Sequence, residues 1–138
     1  MTLCDTSPLI ALLNKRDRNH RRCIEAIAML KKPLLTTLPC FTEAMYLLGD
    51  RDGWHGQESL WMLRQKGVLL LCPLNDEQLN RANVLMVQYR DVPMDFGDAS
   101  LVVAAETLNQ TKIFTLDKDF YIYRLPGNQS FDVVPGRN

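Results

Sequence analysis

Short apolar runs alternate with longer amphipathic segments along this chain of 138 residues. The runs have the length of buried strands, and the segments between them carry apolar residues at helical spacing, as at Cys23, Ile27 and Leu30. This pattern predicts strands over residues 2–5, 34–37, 68–72, 112–116 and 131–134. It predicts helices over residues 8–14, 19–31, 39–48, 54–65, 76–90 and 98–109.

Strands that alternate with helices favour right-handed crossovers and a parallel sheet with helices on both faces. The predicted fold is therefore a three-layer α/β/α sandwich with a central, mostly parallel sheet of four to five strands. The chain has no repeat, low-complexity tract or linker, so residues 1–138 are expected to form a single domain. No stretch approaches the length of a membrane span, and the first residues lack the basic start of a signal peptide.

The cysteines and histidines of the chain indicate which metal sites and catalytic groups are disfavoured. Four cysteines are scattered without a CxxC pair, which indicates reduced core cysteines in a cytosolic protein. The two histidines, His20 and His55, have no partner at the spacing of metal ligands. Zinc chemistry and histidine-based acid–base catalysis are therefore disfavoured.

Acidic residues recur where predicted strands end and helices begin. In parallel sheets, functional groups lie beyond the carboxyl ends of the strands, so these side chains are expected to reach one rim. The four strongest candidates to hold a metal ion and act in catalysis are Asp5, Glu43, Asp98 and Asp117. Asp95 and Asp119 are expected to support them.

Asp5 and Glu43 each have an ordinary structural interpretation. Asp5 could cap the first helix, but Ser7 followed by Pro8 is the better predicted cap, which leaves Asp5 at a strand end. Glu43 has only apolar or aromatic residues at positions three and four away on its helix, a setting that is costly for a carboxylate without a partner. The alternative is that Glu43 extends from the edge of the helix into water.

The other acids have structural alternatives too. Asp98 could cap its helix, alone or while binding a metal with its free oxygen. Asp95 could orient Asp98, accept backbone hydrogen bonds, or contact a metal through water. Asp117 and Asp119 could be ordinary turn residues.

If these acids lie close together, the repulsion between their negative charges must be offset by a bound cation or by protons. Two carboxylates about 5 Å apart repel by roughly 3 kcal/mol at an effective dielectric near 20. Oxygen ligands without nearby histidine or cysteine select a hard cation, Mg²⁺ or Mn²⁺. Such an ion can orient a phosphate, lower the pKa of a bound water and stabilise developing negative charge, which points to phosphodiester hydrolysis.

Four segments resemble a known family. "LCDTSPLIALLN", "FTEAMYLL", "MDFGDASLVVAAE" and "IFTLDKDF" occur in the order and spacing of PIN domains, with the greatest likeness to VapC-like ribonuclease toxins of type II toxin–antitoxin systems. The resemblance extends from Leu3 to about Val134. It implies a Mg²⁺- or Mn²⁺-dependent endoribonuclease with an α/β/α sandwich.

The resemblance also implies roles and partners. Asp5, Glu43 and Asp98 match the acids of three family motifs, Asp117 or Asp119 matches the fourth, and Ser7 matches a small hydroxyl residue often near the metal. A homodimer and a small antitoxin whose tail fills the active-site groove are further implications.

The formal net charge of zero does not by itself favour RNA binding, but the distribution of the charges can. The chain carries 16 basic and 16 acidic residues; if six acids gather, 16 basic groups face 10 acidic ones elsewhere. The best candidates for contacts with RNA phosphates lie in the basic segment 14–22, and the alternative is a solvated loop and helix start. These candidates are Lys15, Arg16, Arg18, Arg21 and Arg22. Trp54 and Trp61 share a helical stripe, which favours a core or dimer contact over base stacking.

Two other functions remain open. A non-catalytic PIN-like module that binds RNA or protein would have no reason to tolerate the repulsion among the acids. A small-molecule phosphohydrolase with Asp5 as nucleophile would typically have a second aspartate two residues later, where this chain has Ser7. The sequence therefore favours the ribonuclease.

Overall fold

The computed structural model describes residues 1–137, which form a five-stranded sheet and a small hairpin. The strands of the sheet are β1 (Thr2–Cys4), β2 (Leu34–Thr37), β3 (Leu69–Cys72), β4 (Lys112–Phe114) and β7 (Asp132–Val134). All pairs in this sheet are parallel, in the order β3-β2-β1-β4-β7. The hairpin consists of two-residue strands, β5 (Arg124–Leu125) and β6 (Gln129–Ser130), which are too short for the hydrophobic pattern to predict.

Helices cover both faces of the sheet. They are α1 (Thr6–Leu13), α2 (His20–Ile27), α3 (Leu38–Gln65), α4 (Asp76–Gln88) and α5 (Phe96–Leu108), with a short 3-10 helix over Lys118–Tyr121. One apolar cluster joins α4, α5 and the 3-10 helix to the sheet, and a second joins α1, α2 and α3 to it. The predicted three-layer α/β/α sandwich with a parallel sheet is confirmed.

The start of α1 differs from the prediction. Ser7 and Pro8 lie inside the first turn, and the N-cap is Asp5, whose side chain accepts a hydrogen bond from the backbone N–H of Thr6. The prediction of Ser7 as the cap is wrong because the chain turns into the helix directly at the end of β1. Asp5 is therefore both a strand-end residue and a helix cap.

Three further helices differ from the prediction at their boundaries. The segments 39–48 and 54–65 belong to one helix, α3, which is kinked at Gly53. This glycine has a positive φ of 57°, a backbone conformation that glycine adopts without steric cost. The first residue of α5 is Phe96, and Asp95 caps it, so the interpretation of Asp98 as the cap is wrong. In addition, α2 ends at Ile27, four residues earlier than predicted.

The strand order creates a switch point between β1 and β4. The chain builds outward from β1 through β2 to β3, and then returns to the other side of β1 as β4 and β7. In open parallel sheets, ligands bind in the crevice outside the carboxyl ends of the strands at such a point. Within residues 1–137, no helix combines the length and apolar composition needed to cross a membrane.

Candidate metal centre

A pocket of about 360 Å³ opens at the carboxyl ends of β1 and β4, at the switch point. We call it the acid pocket because six acidic side chains and one arginine contribute to its wall. These are Asp5, Asp17, Glu43, Asp95, Asp98, Asp117 and Arg51. Asp119 is not among the residues that line it, whereas Asp17, which the sequence did not single out, is.

Three of the predicted ligands converge in the acid pocket. Asp5, Asp98 and Asp117 each offer a carboxylate oxygen, and these three oxygens lie within 4.8 Å of one another. They come from the end of β1, the first turn of α5 and the residue before the 3-10 helix. The fold thus brings together one acid from the start of the chain and two from its last third.

Asp5 is held in place by two hydrogen bonds. Its Oδ1 accepts from the backbone N–H of Thr6 at 2.7 Å, and its Oδ2 accepts from the hydroxyl of Thr115 at 2.7 Å. The Asp5 side chain is buried, with 7% of the residue exposed. A carboxylate has about four lone-pair directions, so Asp5 keeps acceptor capacity for a cation in the pocket.

Asp98 is held by side chains on either side of it. The hydroxyl of Tyr123, itself fully buried, donates to Asp98 Oδ2 at 2.7 Å. Asp95 Oδ1 accepts from the backbone N–H of Asp98 at 2.7 Å, which fixes the first turn of α5. Asp95 itself is exposed at the mouth of the pocket.

The buried acids have strongly raised pKa values. Desolvation raises the pKa of Asp5 to about 6, although the hydrogen bonds from Thr115 and Thr6 oppose this shift. Desolvation raises the pKa of Asp98 to about 8, against the hydrogen bond from Tyr123 and with the negative charges of Asp95, Asp5 and Asp117. Buried carboxylates this close together need protons or a cation.

The donor set fits a hard divalent ion. Carboxylate oxygens are the ligands that Mg²⁺ and Mn²⁺ prefer. A thiol lies beside this group, since Cys40 Sγ is 3.9 Å from Asp5 Oδ1. Burial raises the pKa of Cys40 to about 12, so it stays a neutral thiol and a poor ligand.

Asp117, and not Asp119, belongs to the converging group. Asp117 is half-buried, and its Oδ1 accepts from the backbone N–H of Asp119 at 2.9 Å. Asp119 lies two residues later, inside the 3-10 helix, and contacts the group through this backbone N–H. Ser7 lines the acid pocket, and its hydroxyl accepts from the backbone N–H of Leu116 at 3.4 Å.

Glu43 lies at the mouth of the pocket. It lines the cavity but is not one of the three converging acids, and its side chain is exposed on α3. Its neighbours on α3 are apolar or aromatic as expected, but this face is open, since Tyr46, one turn away, is 71% exposed, and the alternative that Glu43 extends into water applies. Desolvation and the charge of Asp95 still raise the pKa of Glu43.

The basic segment 14–22 borders the acid pocket, but none of its five basic side chains is among the residues that line it. Asp17 and Asn19 line the cavity, and Asp17 lies 3.8 Å from the guanidinium of Arg51. The five predicted RNA contacts remain at the surface: Lys15, Arg16 and Arg18 lie in the loop after α1, and Arg21 and Arg22 lie in α2. Arg16 pairs with Asp52 at 3.9 Å, and Arg21 pairs with Glu25 at 3.4 Å.

The two tryptophans are not part of the core. Trp54 is 63% exposed and Trp61 is 39% exposed, so the structure rules out the core half of the prediction, and a dimer contact stays a prediction. Both lie beyond the kink at Gly53. Trp61 packs edge-on against Phe41 at a ring distance of 5.2 Å.

The sequence reasoning missed Thr115 and Tyr123. A threonine at the end of a buried strand, two residues before an acid, was an available signal for Thr115. Tyr123 gave no local signal, since it lies 25 positions from the carboxylate that it contacts. It reaches Asp98 because Tyr89 and Phe120 pack edge-on against its ring, both at 5.1 Å.

Comparisons with known proteins agree with this architecture. Ribonuclease VapC26 of Mycobacterium tuberculosis is 25% identical over 134 residues, which cover 96% of this chain and 99% of that protein. The crystal structure of M. tuberculosis VapC20, a sarcin–ricin loop cleaving toxin, superposes with a TM-score of 0.80 at 19% identity, over 86% of this chain and 92% of that one. A toxin–antitoxin complex from Klebsiella pneumoniae gives a TM-score of 0.69 at 21% identity, over 97% and 96%. The PIN domain family model matches residues 2–125, and the chain therefore belongs to the PIN domain family.

Proposed function

We propose that this PIN-domain protein is an endoribonuclease that hydrolyses RNA phosphodiester bonds with Mg²⁺ or Mn²⁺. The observation that carries the proposal is the convergence of Asp5, Asp98 and Asp117 within 4.8 Å at the switch point of the sheet. The similarity to Ribonuclease VapC26 over nearly the whole chain supports the choice of RNA as substrate.

Each side chain has a defined task in this proposal. A divalent ion held by Asp5, Asp98 and Asp117 would orient the scissile phosphate, lower the pKa of a bound water and stabilise the developing charge. Thr115 and Tyr123 keep two of these carboxylates aimed into the pocket.

The mouth of the acid pocket supplies proton transfer and positioning. Glu43, with its raised pKa, is placed to reach the ion through water or to accept the proton of the attacking water. Asp95 fixes the N-terminus of α5, and Ser7 ties α1 to the end of β4.

The protein would act as the toxin of a type II toxin–antitoxin pair. Similar structures include the complex from K. pneumoniae and VapBC2 of Rickettsia felis bound to promoter DNA, the latter with a TM-score of 0.66 at 13% identity. An antitoxin tail that enters the acid pocket would block the RNA. We place the protein in the cytosol, where its four free, buried cysteines would stay reduced.

A homodimer is part of the proposal. An exposed apolar groove of about 990 Å³ lies beside the acid pocket, between the start of α3 and the starts of α4 and α5. Its exposed side chains include Leu38, Tyr46, Leu79 and Phe96. Light scattering on the purified protein tests this, with Leu38→Glu expected to give monomers.

An RNA cleavage assay tests the function. The purified protein should cleave single-stranded RNA with Mn²⁺ or Mg²⁺ and lose the activity with EDTA. Asp98→Asn should be inactive but folded, because the amide preserves the shape and removes the charge that binds the ion. Cleavage by Asp98→Asn at the parent rate would contradict the proposal.

The same assay separates the two rival functions. Hydrolysis of a small phosphate ester without RNA cleavage would identify a phosphohydrolase. Intact RNA, together with a melting temperature that Mn²⁺ does not raise, would identify a non-catalytic module.

A further inference from the structure

A second pocket continues the acid pocket along the edge of the sheet. It has a volume of about 250 Å³ and lies beyond the ends of β4 and β7. Leu116 and Asp117 line both cavities, so the two share a wall. A strand of nucleic acid bound at Asp117 would therefore have this second pocket directly beside it.

The sign of the charge reverses between the two pockets. Three cationic side chains, Arg22, Lys118 and Arg137, line the second cavity against the single carboxylate of Asp117. The acid pocket has six carboxylates against one arginine. We call the second cavity the basic pocket.

Each arginine of the basic pocket is held in position by a neighbouring group that carries no negative charge. The Nη2 of Arg22 donates to the backbone carbonyl of Gly136 at 2.6 Å, and the guanidinium of Arg137 lies 3.9 Å above the ring of Tyr121. None of the three cations takes part in a salt bridge among residues 1–137. Guanidinium groups fixed in this way lose little freedom when they bind an anion.

We propose that the basic pocket binds a backbone phosphate of the RNA next to the phosphate that is cleaved. The inference rests on the proposed ribonuclease function and adds a position for the substrate strand. An RNA strand that enters the acid pocket meets repulsion from carboxylates that a single divalent ion does not fully neutralise. Cations immediately beside the pocket offset this repulsion and fix the register of the strand, which is the usual role of phosphate contacts.

The test uses the exposed members of the basic pocket, Lys118 and Arg137. Lys118→Gln/Arg137→Gln, made in the non-cleaving Asp98→Asn protein, should bind a labelled single-stranded RNA about tenfold more weakly in Mg²⁺. The slope of log affinity against log salt should become shallower by about 0.7 for each phosphate that the protein no longer neutralises. The matched control is Arg64→Gln/Lys66→Gln, at the end of α3 and at the opposite edge of the sheet, which should change neither value.

Kinetics on the otherwise unaltered protein separate the two proposals. The double variant should raise KM for RNA about tenfold and leave kcat within about twofold, since the ion-binding acids are untouched. RNA that the parent protein fails to cleave would overturn the proposed function. Cleavage by the parent, combined with unchanged KM, affinity and salt slope in the double variant, would overturn the basic pocket alone. Lys118→Gln by itself, with about half the effect, provides the second variant if the double variant melts early.

Discussion

The floor and the mouth of the acid pocket both carry carboxylates, which are buried at the floor and exposed to solvent at the mouth. The floor is formed by Asp5 and Asp98, which are buried and each accept a hydrogen bond from another side chain. The mouth is formed by Glu43 and Asp95, which are exposed. Floor carboxylates are desolvated and fixed, so they depend on protons or a cation, whereas mouth carboxylates can stay hydrated.

The comparison is tested most strongly by removing one charge from each region. Asp5→Asn should reduce RNA cleavage by on the order of 10³-fold, since about 4 kcal/mol of transition-state stabilisation is lost with the ion. Asparagine caps α1 as well as aspartate does, so the protein should fold. Glu43→Gln should cost only about 10- to 100-fold. Single-turnover rates in Mn²⁺ measure the effect of each substitution. Equal losses of activity would show that carboxylates at the floor and at the mouth contribute equally to cleavage.

The two acids after β4 provide a second test. Asp117→Asn should reduce cleavage by about 100-fold, because its carboxylate is one of the three that converge. Asp119→Asn should cost less than about tenfold, since its contact with Asp117 uses the backbone N–H, which the substitution keeps. The same rate assay compares them, and the reverse order would assign the fourth acid to Asp119.

Tyr123 tests whether the floor depends on its hydrogen bonds. Tyr123→Phe removes the donor to Asp98 and should weaken Mn²⁺ binding and cleavage by about tenfold, as removal of a partner behind a metal ligand typically does. The readout is the Mn²⁺ concentration that gives half of the maximal rise in melting temperature. Tyr89→Phe is the matched control, because its hydroxyl accepts from the backbone N–H of Arg124 and does not contact Asp98. Equal effects of the two substitutions would mean that packing alone is responsible.

The smallest expected effect is the pH dependence of the metal-free protein. Folding raises the pKa of Asp98 from 3.8 to about 8, so the folded state binds a proton more tightly than the unfolded state between these values. Stability should therefore fall as the pH rises from about 4 to about 8, by on the order of 1–2 kcal/mol between pH 6 and 8 after solvent screening in the open pocket. Asp5, with a pKa of about 6, adds to the fall at lower pH.

Melting temperatures in EDTA at pH 6 and pH 8 measure this effect. Asp98→Asn should flatten the fall above pH 6, since the amide does not titrate, and Mn²⁺ should restore stability at pH 8 in the parent protein only. A melting temperature that rises with pH in the metal-free parent would show that the floor of the pocket is not desolvated.

Much of the fold was predictable because buried strands and helices place apolar residues at regular intervals along the sequence. The apolar runs correspond to the five strands of the main sheet, and the amphipathic segments correspond to the helices. Boundaries were harder, since they depend on single residues. Gly53 carries the kink that looked like a helix break, and Asp5 and Asp95 cap the helices that Ser7 and Asp98 were expected to cap.

The sequence by itself determined that acids follow the ends of parallel strands, because strand order and right-handed crossovers send those ends to one edge. Only the tertiary structure decided which acids meet. It places Asp117 in the group, leaves Glu43 in solvent, and brings Thr115 and Tyr123 behind the two buried carboxylates. Those outcomes depend on packing between segments that are far apart in the chain, and hydrophobic periodicity carries information only about neighbours a few residues away.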